Sequence, residues 1–257
     1  MGLTLKIVRS TYLKRSPFLQ ASELGDAEKV AISQGEFKIH SYCEEGNHFR
    51  VAFFETSFKG FNTWYVFPSH VQILQDGKVI YPAPLIKLPV RYQSQLDNSY
   101  DPYGTCNTSA SFAGGEFIKP GVCNGSDDYF LWHFIVNKGR QSTNHAHMTA
   151  ALAEIGVKSS FHYNLTLADL DDQLRQGMPM VIGILHHGTE EWPEGNGHMI
   201  LVIGKDGDDY FCHDPYGKFP YQGKSGECVR YSKRMLKARW QVWDAEGDDG
   251  WGRIFYR

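Results

Sequence analysis

The fold is decided by the stretch Gly197-His-Met-Ile-Leu-Val-Ile-Gly-Lys-Asp-Gly-Asp-Asp-Tyr-Phe-Cys-His-Asp-Pro-Tyr-Gly217. Its two apolar runs, 199–204 and 210–213, are short and continuous, and an acidic turn centred on residue 206 separates them, which predicts an antiparallel β-hairpin. The predicted pairing places His198 opposite Asp214 at the open end of the two strands. A carboxylate beside an imidazole is the orienting partner that a catalytic base requires. Because both positions have the same parity, contact between them depends on the faces from which they project.

A candidate nucleophile lies earlier in the chain. Cys106 follows Tyr103-Gly-Thr and heads a segment that can begin a helix, where free N–H groups and the helix dipole stabilise a thiolate. Each candidate also has a simpler interpretation, since Cys106 can be an inert buried thiol. His198 can be a core or surface histidine, and Asp214 an ordinary residue of an Asp-Pro turn. Taken together, the three indicate a nucleophile, a base and an orienting carboxylate.

Around these residues the chain has helices first and strands after. Helices are predicted after Cys106 and over 127–137, 143–155 and 167–176, the last with Thr166 as its N-cap and acidic residues in its first turns. A continuous apolar run over 180–185 predicts a strand before the hairpin. Helices followed by antiparallel strands predict an α+β fold.

The N-terminal part of the chain has a different texture. Pro82, Pro84 and Pro89 interrupt any regular element, which favours a linker there. We therefore predict a small all-β domain over 1–80, a linker over 81–87 and an α+β domain over 88–257. Short alternating segments broken by glycine-containing turns predict five strands of a small barrel, over 3–9, 36–42, 49–54, 63–67 and 71–74.

Composition and charge narrow the functional classes. The 257 residues carry 26 Lys and Arg against 29 Asp and Glu, a net charge of −3, so a nucleic-acid partner is not indicated. No run approaches the roughly 18 consecutive apolar residues of a membrane span. The first residues lack the apolar core of a signal peptide, so a cytoplasmic location as synthesised is expected. The five cysteines include no Cys-x-x-Cys pair, and the oligomeric state stays open.

Three places in the sequence carry residues that could bind a metal. His145 and His147 are two apart on a predicted helix and point to different faces, while His186 and His187 are adjacent and point oppositely on a strand. The segment 244–250 imitates a calcium loop, but its glycine is displaced and Phe255 stands where the loop needs Glu, so a solvated acidic turn is the better interpretation. No metal and no cofactor are expected.

The candidate residues sit in motifs that resemble a known family. The chain from about residue 86 to 257 is similar to the papain-like cysteine peptidases related to the bacteriocin-leader (double-glycine) peptidases. The motifs that carry the resemblance are Leu88-Pro-Val-Arg-Tyr-Gln-Ser-Gln95, Asp97-Asn98, Thr105-Cys106-Asn107, Gly197-His-Met-Ile-Leu-Val-Ile-Gly204 and Asp214-Pro-Tyr-Gly217.

The resemblance implies a role for each site residue. Cys106 would be the nucleophile, His198 the general base and acid, and Asp214 the orienter. Gln95 would be the side-chain donor of an oxyanion hole, together with a backbone N–H near Cys106. Gln93 competes for that role, although the setting Gln-Leu-Asp-Asn favours Gln95.

Two features depart from the family pattern. The family's helix after the nucleophile is long, whereas Gly114-Gly115 predicts a break in it here, and 120–125 has the composition of an insertion. These departures concern the shape of the cleft and leave the three candidate residues in place.

The N-terminal segment resembles bacterial Src-homology-type small barrels through Leu13-Lys-Arg-Ser-Pro17, Glu28-Lys-Val30 and 62–67. That resemblance implies binding of cell-wall peptides, with a packing domain without ligand as the alternative. The leading prediction is a bacteriolytic thiol protease of bacterial or phage origin. Its expected substrates are peptidoglycan peptides, which are preferred over leader peptides as the interpretation, and it would reach the cell wall after release from the cell. Two alternatives remain open: a catalytically idle binding protein on the peptidase fold, and an acyl transferase in which an amine captures the thioester.

Overall fold

The structure of the chain is a computed structural model. It describes residues 2–82, 84–189, 192–220, 223, 225–240 and 250–257, with Asn196 described by its backbone alone. The chain divides into two compact units, Met1–Pro84 and Leu85–Arg257.

The N-terminal unit is an eight-stranded antiparallel sheet with the order β3-β2-β6-β5-β4-β1-β7-β8. Inward-facing apolar side chains such as Leu5, Val51 and Trp64 form its core. The sequence predicted five strands here, and the structure has eight in one antiparallel sheet. The two end strands do not pair with each other among the described residues, so a small all-β barrel stays a prediction. The strands are β1 (Leu3–Ile7), β2 (Thr11–Lys14), β3 (Lys29–Ile32), β4 (Gly35–Glu45), β5 (His48–Phe53), β6 (Thr63–Val66), β7 (Val71–Gln75) and β8 (Lys78–Tyr81).

The C-terminal unit is built on a second antiparallel sheet, with the order β10-β15-β11-β12-β13-β14 and with β9 paired to the end of β12. Helices precede and flank it, which confirms a mixed fold of helices and antiparallel strands. Its strands are β9 (Ile86–Lys87), β10 (Lys158–Leu165), β11 (Met180–Gly188), β12 (Pro193–Asp206), β13 (Asp209–His213), β14 (Val229–Ser232) and β15 (Gly250–Tyr256).

The helices of this unit begin where the sequence supplies caps. Thr166 and Asp169 form the capping box predicted for the fourth helix. Asn144 and Ser232 accept backbone N–H groups at the starts of the third and fifth. The helices are α1 (Cys106–Ile118), α2 (Asp127–Phe130, continued by a π-helical turn over Leu131–Ile135), α3 (His145–Glu154), α4 (Leu167–Arg175) and α5 (Lys233–Arg239). Among the described helices, none is long and apolar enough to span a bilayer.

The sheet of the C-terminal unit is covered on both faces. Alternation along β11 and β12 sends Val181 and Leu201 toward the helices α1, α2 and α3, and sends Ile182 and Ile200 toward α4 and α5. Each face therefore has its own apolar core. The helix α1 is fixed against one face, which places its first residue, Cys106, at a defined position beside β12.

The predicted helix break at Gly114-Gly115 is wrong, because α1 continues through both glycines to Ile118. A Cβ on Gly114 would lie 2.4 Å from the Phe255 ring, and one on Gly115 would lie 3.1 Å from a methyl group of Leu152. The glycines therefore allow α1 to approach β15 and α3 closely. Close packing offsets the roughly 1 kcal/mol that a glycine costs in a helix interior.

Candidate active site

Cys106 is the first residue of α1, and Thr105 occupies the N-cap position before it. It is a free cysteine, and the residue as a whole is partly exposed. The backbone N–H groups of Met199 and Asn107 contribute to lowering the pKa of its thiol. The thiol therefore lies at a helix N-terminus, where backbone donors favour the thiolate.

The hairpin that carries His198 and Asp214 forms, with a register that differs from the predicted one. Its turn is centred on residues 207–208, and a bulge lies between Val202 and Gly204. Leu201 consequently lies opposite His213, two residues from the predicted partner. Because a shift of two residues keeps every side chain on its face, His198 and Asp214 become diagonal neighbours on one face. The sequence left open whether His198 and Asp214 touch, and the structure shows that they do.

His198 connects Cys106 to Asp214. Its Nε2–H donates to Oδ1 of Asp214 at 2.7 Å, and both side chains are buried. The Cys106 thiol and the same ring shift each other's pKa, so the ring lies on the side of Asp214 that faces the thiol. Since Nε2 is bonded to the carboxylate, Nδ1 is the nitrogen that can accept the thiol proton.

Charge shifts the ionisation of this pair. Burial opposes ionisation of both groups, but the hydrogen bond and charge of His198 lower the pKa of the Cys106 thiol. Likewise burial works against the imidazolium, and the charge and hydrogen bond of Asp214 overcome it, so that the pKa of His198 is raised. The two directions agree, and both favour a thiolate beside an imidazolium.

Asp214 is held by more than His198. The phenol of Tyr231, on β14, donates to its Oδ2 at 2.8 Å, and the backbone N–H of Tyr216 donates to Oδ1 at 3.1 Å. The carboxylate is fully buried. Sequence reasoning missed Tyr231, which stands in an unremarkable strand 17 residues beyond its partner. A period-two apolar pattern ending in a tyrosine was the only available signal.

The segment with the two candidate oxyanion glutamines lies against the Asp214-Pro215 turn. The Gln95 backbone N–H donates to the Pro215 carbonyl at 3.0 Å. Its side-chain Nε2 donates to the Pro102 carbonyl at 2.8 Å, which occupies one of its two hydrogens. Gln93 instead donates to the Gly125 carbonyl at 3.1 Å. Of the two, Gln95 is the one tied to the turn that carries Asp214.

A buried polar network holds the residue before the nucleophile. The amide of Asn98 donates to the hydroxyl of Thr105 at 3.0 Å and to that of Ser109 at 3.1 Å. The Ser109 hydroxyl in turn donates to the carboxylate of Asp127. Burial raises the pKa of Asp127 to about 6, although the Ser109 hydrogen bond works against it. Asn98 and Thr105 belong to motifs that carry the resemblance, but the sequence did not indicate that they would bind each other and Ser109.

Of the histidines considered for metal, His186 lies next to the candidate site, with its ring centroid 5.6 Å from that of His198. His145 stacks on Phe161 with ring centroids 3.5 Å apart, whereas Nδ1 of His147 accepts the Gln141 N–H. The opposite orientation predicted for His186 and His187 is wrong, because a bulge at this point of β11 brings their ring centroids to 3.9 Å.

No group of three or more potential ligands is found in the described part of the chain. The acidic turn predicted over 244–250 lies outside the described residues apart from Gly250.

In the C-terminal unit, then, a cysteine opens the helix α1, a histidine lies on β12 of the sheet beside it, and an aspartate directly follows β13. The model of the Peptidase_C39 like family matches residues 87–246, and the chain belongs to this family. Membership implies a cysteine peptidase.

A comparison with solved structures finds a similar chain. A crystal structure described as that of a C39-like peptidase from Bacillus anthracis aligns with a TM-score of 0.48 and 14% sequence identity, over 68% of this chain and 98% of that one. No curated protein matches the sequence.

Proposed function

We propose that this protein hydrolyses peptide amide bonds through a thioester on Cys106. The observation that carries the proposal is a free Cys106 at the start of α1 whose pKa is lowered by His198, while Nε2 of His198 is held at 2.7 Å by the buried carboxylate of Asp214. A thiol in this setting ionises more readily than a free cysteine, as a nucleophile must.

The proposed first half-reaction uses His198 as base and then as acid. Nδ1 takes the proton of the Cys106 thiol, and the thiolate sulfur attacks the carbonyl carbon of the scissile amide. The C–N bond then breaks, and the imidazolium gives its proton to the leaving nitrogen. In the second half-reaction a water molecule loses a proton to His198 and attacks the thioester, which releases the acid and restores the thiol.

The developing oxyanion needs donors in both half-reactions. We assign one to the Nε2 of Gln95, whose second hydrogen is not used by Pro102, and one to a backbone N–H near Cys106. Loss of one such donor typically costs about 100- to 1,000-fold in rate. Asp214 acts by orientation, because its hydrogen bond selects the tautomer and the ring position of His198.

The proposed substrates are stem or cross-bridge peptides of peptidoglycan, reached after release from a bacterial or phage-infected cell. Support comes from the separate all-β unit, since modules of the kind it resembles often bind cell-wall peptides. A pocket of about 660 Å³ on this unit is lined by residues that include Lys38, His40, Tyr42 and Phe54. The rings of His40 and Phe54 pack edge to face, with their centroids 4.6 Å apart. We propose this pocket as the wall-peptide site.

The decisive experiment incubates purified peptidoglycan with the full chain and with Cys106→Ala, and identifies released fragments by mass. We expect new amino and carboxyl ends at one bond with the wild type, and none with the variant. Unchanged release by Cys106→Ala contradicts the mechanism. Sedimentation of Cys106→Ala with peptidoglycan, compared with Cys106→Ala/Phe54→Ala, tests the binding unit apart from the chemistry.

The same samples separate the two alternatives. An idle binding protein would sediment with peptidoglycan and release nothing, and its Cys106 would show no selective alkylation by iodoacetamide below pH 8. An acyl transferase would incorporate an added amine into the product in place of water. Hydrolysis predicts fragments that end in a free carboxylate even when amine is present.

A further inference from the structure

A pocket of about 450 Å³ opens beside the candidate active site. Its walls come from the segment before the nucleophile and from the turn that carries Asp214. Pockets of about 300–1,000 Å³ are typical of small-molecule sites, so this one has room for one large side chain with its adjoining backbone. The residues that line it include Tyr92, Ser94, Leu96, Tyr103, Tyr216 and Gly217.

The inner wall of the pocket is continuous with the candidate site. The ring of Tyr216 lies 6.2 Å from that of His198 and 6.3 Å from that of Tyr103. Tyr216 also donates its backbone N–H to Asp214, the carboxylate that holds His198. The pocket is therefore reached directly from the imidazole.

The walls are fixed by hydrogen bonds to a single turn. The phenol of Tyr92 donates to the Asp214 carbonyl at 3.0 Å, and the Ser94 hydroxyl donates to the Pro215 carbonyl at 3.4 Å. Such bonds hold the two walls at one separation. The pocket is therefore formed before a substrate arrives, which reduces the entropic cost of binding.

The position of the pocket indicates which part of a substrate enters it. In the proposed mechanism His198 protonates the leaving nitrogen, so the departing part of the peptide must extend past His198. Of the rings that line the pocket, Tyr216 lies beside His198, with ring centroids 6.2 Å apart. On this basis the pocket is assigned to the residues C-terminal to the scissile bond.

The lining indicates the chemistry of the occupant. Tyr103 and Leu96 are 75% and 49% exposed, although large apolar side chains usually avoid water. Among the described residues, those that line the pocket carry no charge. Aromatic rings with polar tips favour another aromatic ring or a large aliphatic side chain.

We propose that this pocket is a specificity subsite for an aromatic or large aliphatic side chain in the first two residues after the scissile bond. The inference rests on the proposed function, because it needs a thioester that a leaving amine has just vacated. By microscopic reversibility, the same subsite receives an incoming amine that attacks the thioester.

The side-chain preference of this subsite can be measured by letting different amines attack the thioester, and the natural substrate need not be known. The full chain is incubated with a library of blocked tetrapeptide aminocoumarin amides as acyl donors, and coumarin release reports acyl-enzyme formation. Phe, Leu, Gly, Lys and Glu amides, and the corresponding Gly-Xaa amides, compete with water for the acyl group. The ratio of amide product to acid is measured for each acceptor.

We expect Phe and Leu acceptors to be captured about tenfold better than Gly, Lys or Glu acceptors, the range that a filled apolar subsite provides. Tyr103→Ala and Leu96→Ala should reduce that preference severalfold, as read from the ratio of amide product to acid, which is counted per acyl-enzyme and does not depend on how fast coumarin is released. Tyr163→Ala, at another exposed tyrosine on β10 at the far edge of the sheet, should keep the preference.

Equal capture of all acceptors by an enzyme that releases coumarin overturns the subsite and leaves the proposed function intact. A preference that Tyr103→Ala and Leu96→Ala leave unchanged also overturns it. Absence of coumarin release from every donor, in wild type as in Cys106→Ala, overturns the proposed function and the subsite with it.

Discussion

Tyr231 donates its phenolic hydrogen to Oδ2 of Asp214 at 2.8 Å while the other oxygen of that carboxylate faces His198 at 2.7 Å. Tyr231→Phe removes this donor and leaves a buried carboxylate oxygen without it, which costs about 1–3 kcal/mol. Because Asp214 then holds His198 less firmly, we expect kcat to fall about tenfold with KM little changed. Steady-state kinetics over pH 5–9 would measure the effect.

A matched control exists in the same unit. Tyr210, on β13 and away from Cys106, is also buried. Its phenol donates to the carboxylate of Asp171 at 2.8 Å. Tyr210→Phe should lower the free energy of unfolding to a similar extent and leave kcat unchanged. Equal kinetic losses in both variants would show that Tyr231 contributes stability alone.

Cys106 should be the thiol that iodoacetamide alkylates first near pH 6.5. The hydrogen bond and charge of His198 outweigh burial and lower the pKa of Cys106, whereas burial raises the pKa of Cys123 to about 11 and that of Cys212 well above its usual value. His198→Ala removes the lowering interaction. We expect it to slow labelling of Cys106 more than tenfold at this pH, measured by mass spectrometry of the alkylated peptides.

Labelling of Cys123 provides the internal control for that experiment, because His198→Ala should leave its slow rate unchanged. A rate at Cys106 that does not respond to His198→Ala would mean that the imidazole does not activate the thiol.

The pH dependence of stability should carry a contribution from Asp127. Burial raises its pKa in the folded state to about 6, above the value of about 3.9 for an unfolded chain. The folded state therefore holds this proton more tightly, so the contribution favours folding below about pH 4 and is lost as pH rises to about 6. The full change is about 3 kcal/mol.

Asp127→Asn removes this titration and keeps an oxygen that can accept the Ser109 hydroxyl. The unfolding free energy of the variant, relative to wild type, should rise between pH 4 and pH 6 and stay constant above. Urea unfolding at several pH values would measure it. Asp128→Asn, at an exposed carboxylate that binds Ser99, is the neighbouring control. Parallel pH curves for wild type and Asp127→Asn would contradict the expectation.

Gly114→Ala should destabilise the C-terminal unit although alanine favours helices. The added methyl group would meet the Phe255 ring at 2.4 Å, and overpacking of this kind costs about 1–3 kcal/mol. The gain in helix propensity is about 1 kcal/mol. We expect a lower Tm, and we expect Phe255→Leu, which removes the ring, to reduce the penalty in the double variant.

Gly115→Ala serves as the comparison, since its methyl group would lie 3.1 Å from a methyl group of Leu152 and 3.6 Å from those of Val157, which is a milder overlap. A smaller loss of Tm is expected there. Equal losses at both positions would point to the backbone of α1 and not to Phe255.

Local pattern was enough to predict the parts that short-range chemistry determines. The apolar runs on either side of an acidic turn predicted the hairpin of β12 and β13, and the Gly-containing turn predicted a helix beginning at Cys106. The structure brings Cys106, His198 and Asp214 together, as the sequence predicted. Their catalytic roles stay a prediction for the experiments above.

What the sequence did not provide depends on distant packing. The bulge after Val202 sets the register of the hairpin, and no residue there announces it. Gly114 was interpreted through backbone flexibility, whereas its neighbour Phe255 lies at the other end of the unit. Tyr231 and Asp127 act through hydrogen bonds to partners 17 and 18 residues away, which only the folded chain brings near.

The turn after β13 sets a limit on redesign of this protein. Asp214, Pro215 and Tyr216 serve three neighbours at once: the imidazole, the segment that carries Gln95, and the wall of the pocket. Substitutions in the turn should therefore show strongly non-additive effects with changes at any of the three. Tyr103 and Leu96 line the same pocket but lie outside the turn. Under the proposed subsite, substitutions at these two positions should change selectivity and leave the contacts of Asp214 with His198 in place.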